Sequence, residues 1–176
     1  MPQQYDWYET TEDSQVLQGD FVSDCPVLMP PRAIDVSSLK QASSVEFDTY
    51  NVVVMSQSCD LAQKKVDLVL VCPHWSLEEL KTQNPDLAVP KVLEEIRRGN
   101  SAAYHMIAEC DLSRFESGCR VVGFRDVYSV HIEFLKSHVA GKTRLRLLPP
   151  YREHLSQAFA RFFMRVGLPL DIPKFT

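Results

Sequence analysis

The chain lacks any apolar run approaching the eighteen or so residues that a membrane-spanning helix needs. It also lacks a basic excess. Its 19 Lys and Arg are outnumbered by 23 Asp and Glu, giving a formal net charge of -4. That balance excludes a global electrostatic pull towards nucleic acid or anionic lipid, so nucleic-acid binding would need a local basic patch. No CxxC or HxxxH pair is present, and these are common clips of protein zinc sites. No repeat is visible, no linker is long enough to divide the chain, and no motif requires a cofactor. The N-terminus, MPQQYDWYETTEDSQ, is acidic and polar, the opposite of a signal or transit peptide. The expectation is a cytoplasmic chain without a membrane segment.

What remains is an ordinary globular composition, 45% apolar and 24% charged over 176 residues. That length suits a single domain burying about two-thirds of its unfolded surface. The five cysteines (Cys25, Cys59, Cys72, Cys110, Cys119) are odd in number and read as buried thiols in a reducing compartment.

The organising stretch is NVVVMSQSCD, Asn51 to Asp60. An unbroken Val52–Met55 run predicts a strand buried on both faces, and the polar cluster after it predicts that strand's exit loop. A second buried strand is expected over Val66–Cys72. Before them, residues 1 to 17 with Tyr5, Trp7 and Tyr8 read as an arm that docks those rings on its own body or another chain, the alternative being a frayed tail, and residues 18 to 176 form the domain. Gln18-Gly19-Asp20 is a turn. Phe21-Val22 and Val27–Met29 are short strands bounded by prolines. Ala33–Val36 and Val45–Phe47 are further extended pieces.

Asp60 with Gln63, and Ser76 with Glu79, have capping-box spacing, predicting one helical turn over Leu61–Lys64 and a short helix LEELKTQ. Pro90 opens another helix, stopped by Gly99-Asn100. Residues 103 to 110 and 119 to 130 return to strands, the latter broken at Gly123 and Arg125-Asp126 by a bulge, bend or tight hairpin. HIEFLKSHVAG is a short helix, and TRLRLL alternates as a half-exposed strand. Pro149-Pro150 opens a C-terminal amphipathic helix with Tyr151, Leu155, Ala158, Phe159, Phe162, Phe163 and Val166 on one stripe. The fold class is therefore α+β: a mainly antiparallel sheet or small SH3-like β-barrel with several short helices and that terminal helix.

Three clusters carry possible chemistry. Cys59, in a polar loop after a buried strand, is a candidate nucleophile, with Asp60 and His74 as companions. Asp60 disfavours the thiolate, whereas Lys64 and Lys65 favour it. The bland alternative is a structural thiol beside a capping aspartate. Cys59, Cys72, His74 and His105 are acceptable zinc ligands, but an antiparallel hairpin would hold Cys59 and Cys72 about 20 Å apart at ~3.4 Å per residue, so no metal site is assigned. Arg161 and Arg165 on the terminal helix, with Arg152, Arg144 and Arg146, could bind phosphate or RNA, or could simply form a solvated face.

VVVMSQSCDL with VLVCP, and LRLLPPYREHLSQAFARFFMRVGLP, resemble a family of uncharacterised bacterial proteins of similar length. More weakly, Gly19-Asp20-Phe21-Val22, the Val52–Ser56 run and Val69–Pro73 resemble PemK/MazF-like toxin barrels. That resemblance implies a small SH3-like barrel with C-terminal helices. It does not carry the ribonuclease residues: Tyr50-Asn51 stands where arginine-proline is common, and His74-Trp75 where a threonine is expected.

The leading expectation is a bacterial binding or regulatory protein, in a defence or toxin–antitoxin setting, with a protein partner. Its interaction rim would comprise Ser56, Gln57, Ser58, Cys59 and Asp60 with His74 and Trp75. The rival is an enzyme, either a toxin-like endoribonuclease or a Cys59-dependent hydrolase.

Overall fold

In the computed structural model, residues 5–29 and 46–164 are described. Eight strands run in the order β1 (Tyr8–Thr11), β2 (Phe21–Leu28), β3 (Phe47–Val54), β4 (Leu68–Ser76), β5 (Tyr104–Ile107), β6 (Arg120–Gly123), β7 (Tyr128–His131) and β8 (Arg144–Leu147). Five helices are interspersed: α1 (Ser58–Ala62), α2 (Leu77–Gln83), α3 (Pro90–Arg97), α4 (Ile132–Val139) and α5 (Tyr151–Phe163). The class is α+β with every strand pairing antiparallel. Among the described residues the sheet is open: β2-β3-β4-β6-β5, with β7 also on β4, beside a separate β1-β8 pair. Of the two architectures expected, this is the antiparallel sheet, because no pairing closes the ends into a barrel.

The valine run does what an uninterrupted apolar strand should. Val52 and Val54 enter one core with Val22, Val69, Val71 and Leu135, while Val53 and Met55 enter the other with Phe21, Cys72, Phe124 and Leu155. All three valines are fully buried, so the second half of β3 has no solvent face, whereas Phe47, Asp48 and Thr49 at its start are exposed. The second strand is longer than the predicted Val66–Cys72. It begins at Leu68 and continues through Cys72-Pro73-His74-Trp75 to Ser76. Its first half pairs with β7, its middle with β3 and its end with β6. The break in residues 119 to 130 is accordingly a bend. It carries the chain from one half of β4 to the other, and β6 and β7 do not pair with each other.

Helix signals were legible where capping chemistry was local. Ser76 accepts from the Glu79 backbone N–H and Glu79 reaches back to Ser76, so α2 starts at a true capping box. Pro90 sits in the first turn of α3. The Asp60–Gln63 box does not form: α1 begins earlier, at Ser58, because the Gln57 carbonyl already accepts from Asp60 and Leu61. Of the N-terminal aromatics, Trp7 and Tyr8 pack within the chain, while the Tyr5 side chain is exposed. Trp7 stacks on Tyr151 at 3.5 Å between ring centroids, Tyr8 is buried, and β1 pairs with β8. Ala33–Val36 and the end of the chain from Arg165 lie outside the described residues.

The largest departure concerns TRLRLL. All four residues of β8 are buried, not half-exposed. Leu145 and Leu147 join the core, and on the other face Arg144 and Arg146 converge on the fully buried Asp20. The Arg144 Nε donates to Asp20 Oδ2 at 2.9 Å, and Arg146 donates through Nε and Nη2 to both oxygens. Remaining guanidinium N–H groups reach the carbonyls of Asp13 and Gln15, and the Leu17 N–H adds a bond to the carboxylate. The same turn joins the two sheets through its backbone. Gly19 N–H donates to Val54, Val54 N–H to Asp20, and Leu147 N–H to Gly19. Gly19 holds φ +84°, and a Cβ there would stand 3.1 Å from that of Leu147.

Deleting the shared carboxylate leaves Arg144 buried without its counter-charge and Arg146 with the longer 3.9 Å approach to Glu9. Asp20→Ala is therefore expected to cost about 3–5 kcal/mol, and Arg144→Lys less because the ammonium keeps a charge near Asp20. Urea unfolding followed by circular dichroism measures both.

Candidate functional site

The loop Ser56–Asp60 leaves β3 at its buried end and is pinned on all sides. Ser56 Oγ accepts from the Leu70 N–H at 2.8 Å, Ser58 Oγ accepts from the Gln18 N–H, and the Gln18 amide donates to the Met55 carbonyl. Gln57 reaches across to α5 and donates to Ser156 Oγ at 3.0 Å. That bond divides the surface in two. On one side lies a polar cleft of about 380 Å³ lined by Gln18, Ser58, Cys59, Arg152, Glu153 and Gln157. On the other lies an apolar groove of about 530 Å³ between the start of β4 and α5, with Leu68, Leu70, Val66, Met55 and Phe159 in its wall.

Cys59 is exposed, and its thiol meets the Asp60 carboxylate at 3.7 Å. Asp60 also faces Lys65 at 3.8 Å. No histidine lines the cleft. The expected companion, His74, lies at the other end of β4. The register pairs Val54 with Val71 and Val52 with Pro73, so His74 is four residues beyond the Leu70 that touches Ser56, roughly 14 Å along a strand. It is buried, edge-on to Phe21, with Nδ1 3.3 Å from Arg120. Burial, then the Arg120 charge, lowers its pKa to about 3, so its ring is neutral. Trp75 packs over Gly123, where a Cβ would come within 2.8 Å of the indole. The single rim expected from Ser56–Asp60 and His74-Trp75 is thus not one surface: a strand that runs on past Cys72 carries the second pair away from the first.

The arginine cluster also separates. Arg144 and Arg146 are committed to Asp20, and Arg152 lies beside Glu153. Arg161 borders a small cavity with His105, and Arg165 lies outside the described residues. Cys59, Cys72, His74 and His105 do not converge, and no three His, Cys, Asp or Glu side chains gather at metal-binding range among the described residues. Sequence reasoning missed Ser156 and Gln157, which only the docking of α5 brings to Cys59, and Arg120, which no local pattern distinguishes. No protein family, curated protein or solved structure matches this chain. Among the described residues, no helix is long and apolar enough to cross a membrane.

Two outcomes follow from these environments. Burial pushes the Cys25 thiol up to about 11 and, with Asp126, the Cys72 thiol up to about 12. A thiol-reagent titration of the native protein should therefore label Cys59 early and leave Cys25 and Cys72 unmodified until denaturant is added. Cys59→Ala should remove the fast phase.

Burial holds His105 down to about 4, aided by Arg161 and His154, as it holds His74 down to about 3. In the unfolded chain both rings take up protons near pH 6.5, while in the fold they stay neutral. The unfolded state then binds more protons, so stability is complete above pH 6.5 and falls as pH drops towards 4 and 3. At pH 5 the loss is on the order of 2 kcal/mol per ring, read from urea midpoints between pH 7.5 and 5.

Proposed function

We propose that this is a cytoplasmic bacterial binding or regulatory protein. Its partner is a protein carrying an apolar stripe, which it holds in the groove between the start of β4 and α5. The observation that carries this reading is the exposed apolar surface there. Along β4, Val69 and Val71 are fully buried, while their neighbours Leu68 and Leu70 remain 57% and 40% exposed on the opposite face. Phe159 in the groove wall contacts Phe163 edge-on at 5.1 Å, and Phe163 and Met164 are 63% and 76% exposed. Large exposed side chains gathered in one place, rather than scattered singly, are the usual mark of a recognition surface.

Charge supports a protein over a nucleic acid. Among the described residues the one ionisable group lining the groove is Asp60, already facing Lys65, so a phosphate chain laid there would meet a carboxylate. The polar cleft beyond Gln57 supplies hydrogen-bonding groups at the edge of the apolar centre, an arrangement common to protein interfaces. A defence or toxin–antitoxin setting is the one that the PemK/MazF resemblance implies, and a groove for an apolar stripe suits the paired proteins of such a setting.

The enzyme reading rests on one observation, the exposed Cys59 thiol. The two readings separate in one experiment. A photo-crosslinking amino acid at Leu70 should give one discrete protein adduct in the native host, absent when the probe is at Lys81 on α2, and retained in Cys59→Ala. Absence of a protein adduct from position 70, or an RNA adduct in its place, would overturn the binding reading. Loss of a turnover in Cys59→Ala with the adduct retained would establish an enzyme that also binds.

A further inference from the structure

Apart from the Cys59 cleft, a separate pocket of about 260 Å³ opens at the seam between the two sheets. Its walls come from β2, the end of β4, β6, α4 and the approach to β8. Phe21 and Phe115 supply its apolar surface, and Arg120, Lys142, His74 and His138 supply its polar surface.

The charges do not cancel. Arg144 also reaches this pocket, but its guanidinium is held by Asp20. Arg120 is half-buried, and its contacts are the neutral His74 ring and a long 3.4 Å approach to Ser117 Oγ. Among the described residues it meets no carboxylate, and neither does Lys142. A guanidinium drawn into a partly dry pocket without an anion loses hydration that nothing returns. Asp24 is the carboxylate on the lining, and it stands exposed at the mouth.

The wall is also built rather than incidental. Between Val22 and Cys25 the β2–β3 register breaks, and Asp24 takes a positive φ of 49°. Two side chains hold this bulge: Asn51 accepts from the Asp24 N–H at 3.2 Å, and His138 Nε2 donates to the Ser23 carbonyl at 3.0 Å. Bulges of this kind re-aim strands beside binding sites, and backbone held in an unfavourable region persists only where its surroundings fix it.

We propose that this pocket binds a small organic anion. Its carboxylate or phosphate head is paired by Arg120 and Lys142, and a short apolar body lies against Phe21 and Phe115. The volume of about 260 Å³ falls just below the usual range of small-molecule sites, about 300–1,000 Å³, which limits the ligand to roughly the size of one ring plus its acidic group. Arg120 presents a planar fork of donors suited to either head group, and Lys142 at the exposed rim supplies a second charge. This site shares no lining residue with the Cys59 cleft or the apolar groove, so it stands whatever becomes of the partner-binding reading.

The test is NMR titration of the full chain at low ionic strength with phenyl phosphate, benzoate and inorganic phosphate. Ring C–H resonances of His74 and His138 are the reporters. The expected result is saturable movement of both at millimolar phenyl phosphate or benzoate, with inorganic phosphate weaker. Arg120→Gln should weaken binding about tenfold or more, as loss of a charge-assisted bond does. Should Arg120→Gln fail to fold, Lys142→Gln carries the test, because that side chain is exposed. No saturable shift with any probe overturns the proposal, as does unchanged affinity in the folded variants. Equal affinity for inorganic phosphate overturns the organic-anion assignment.

Discussion

The Asp20 carboxylate, shared by Arg144 and Arg146, is the contact on which the rest of the architecture depends. It is fully buried, and the two guanidinium groups beside it are nearly so. Such an arrangement is tolerable only when every donor and acceptor is paired. Here the leftover donors run to Asp13 and Gln15, and no buried polar side-chain atom among the described residues is left without a partner. The geometry demands that the N-terminal segment, the Gly19 turn and β8 all be in place together. The ion group therefore specifies how the two sheets meet, more than it adds stability over an apolar alternative.

From that joint the molecule extends along β4. This strand borders β7, β3 and β6 in succession, and the two larger cores lie on opposite faces of the β3–β4 pair. One consequence is that the candidate sites are separated. The Cys59 cleft and the apolar groove lie where β4 begins, and the Arg120 pocket lies where it ends. Residues adjacent in a linear reading of loops, such as Ser56–Asp60 and His74-Trp75, are held apart by the rigidity of the strand that connects them.

Legibility followed the range of the interaction. Val52–Met55 announced a strand without a solvent face because burial on both sides is written in an uninterrupted apolar run. The Ser76–Glu79 box and Pro90 announced helix starts because a cap joins residues three apart. The TRLRLL alternation was read correctly as a strand and wrongly as half-exposed. Arginine at alternate positions signals a wet face unless a carboxylate distant in sequence is buried opposite, and Asp20 lies more than a hundred residues away. The Asp60–Gln63 spacing failed for the opposite reason: the backbone carbonyls of Gln57 and Cys59 take the Asp60 and Gln63 N–H groups first.

What the chain's order of residues determined by itself was the α+β class, the buried valine run of β3, most element starts and the lack of a long apolar span. These depend on periodicity, capping and local sterics, all acting over a few residues. Only the tertiary structure decided which polar side chains share a site. It buried His74 beside Arg120, brought Ser156 to Gln57, withdrew Arg144 and Arg146 from the surface, and left Leu68 and Leu70 uncovered. Each depends on which segments pack together, and the free energy that selects the packing comes from contacts between residues far apart in the chain.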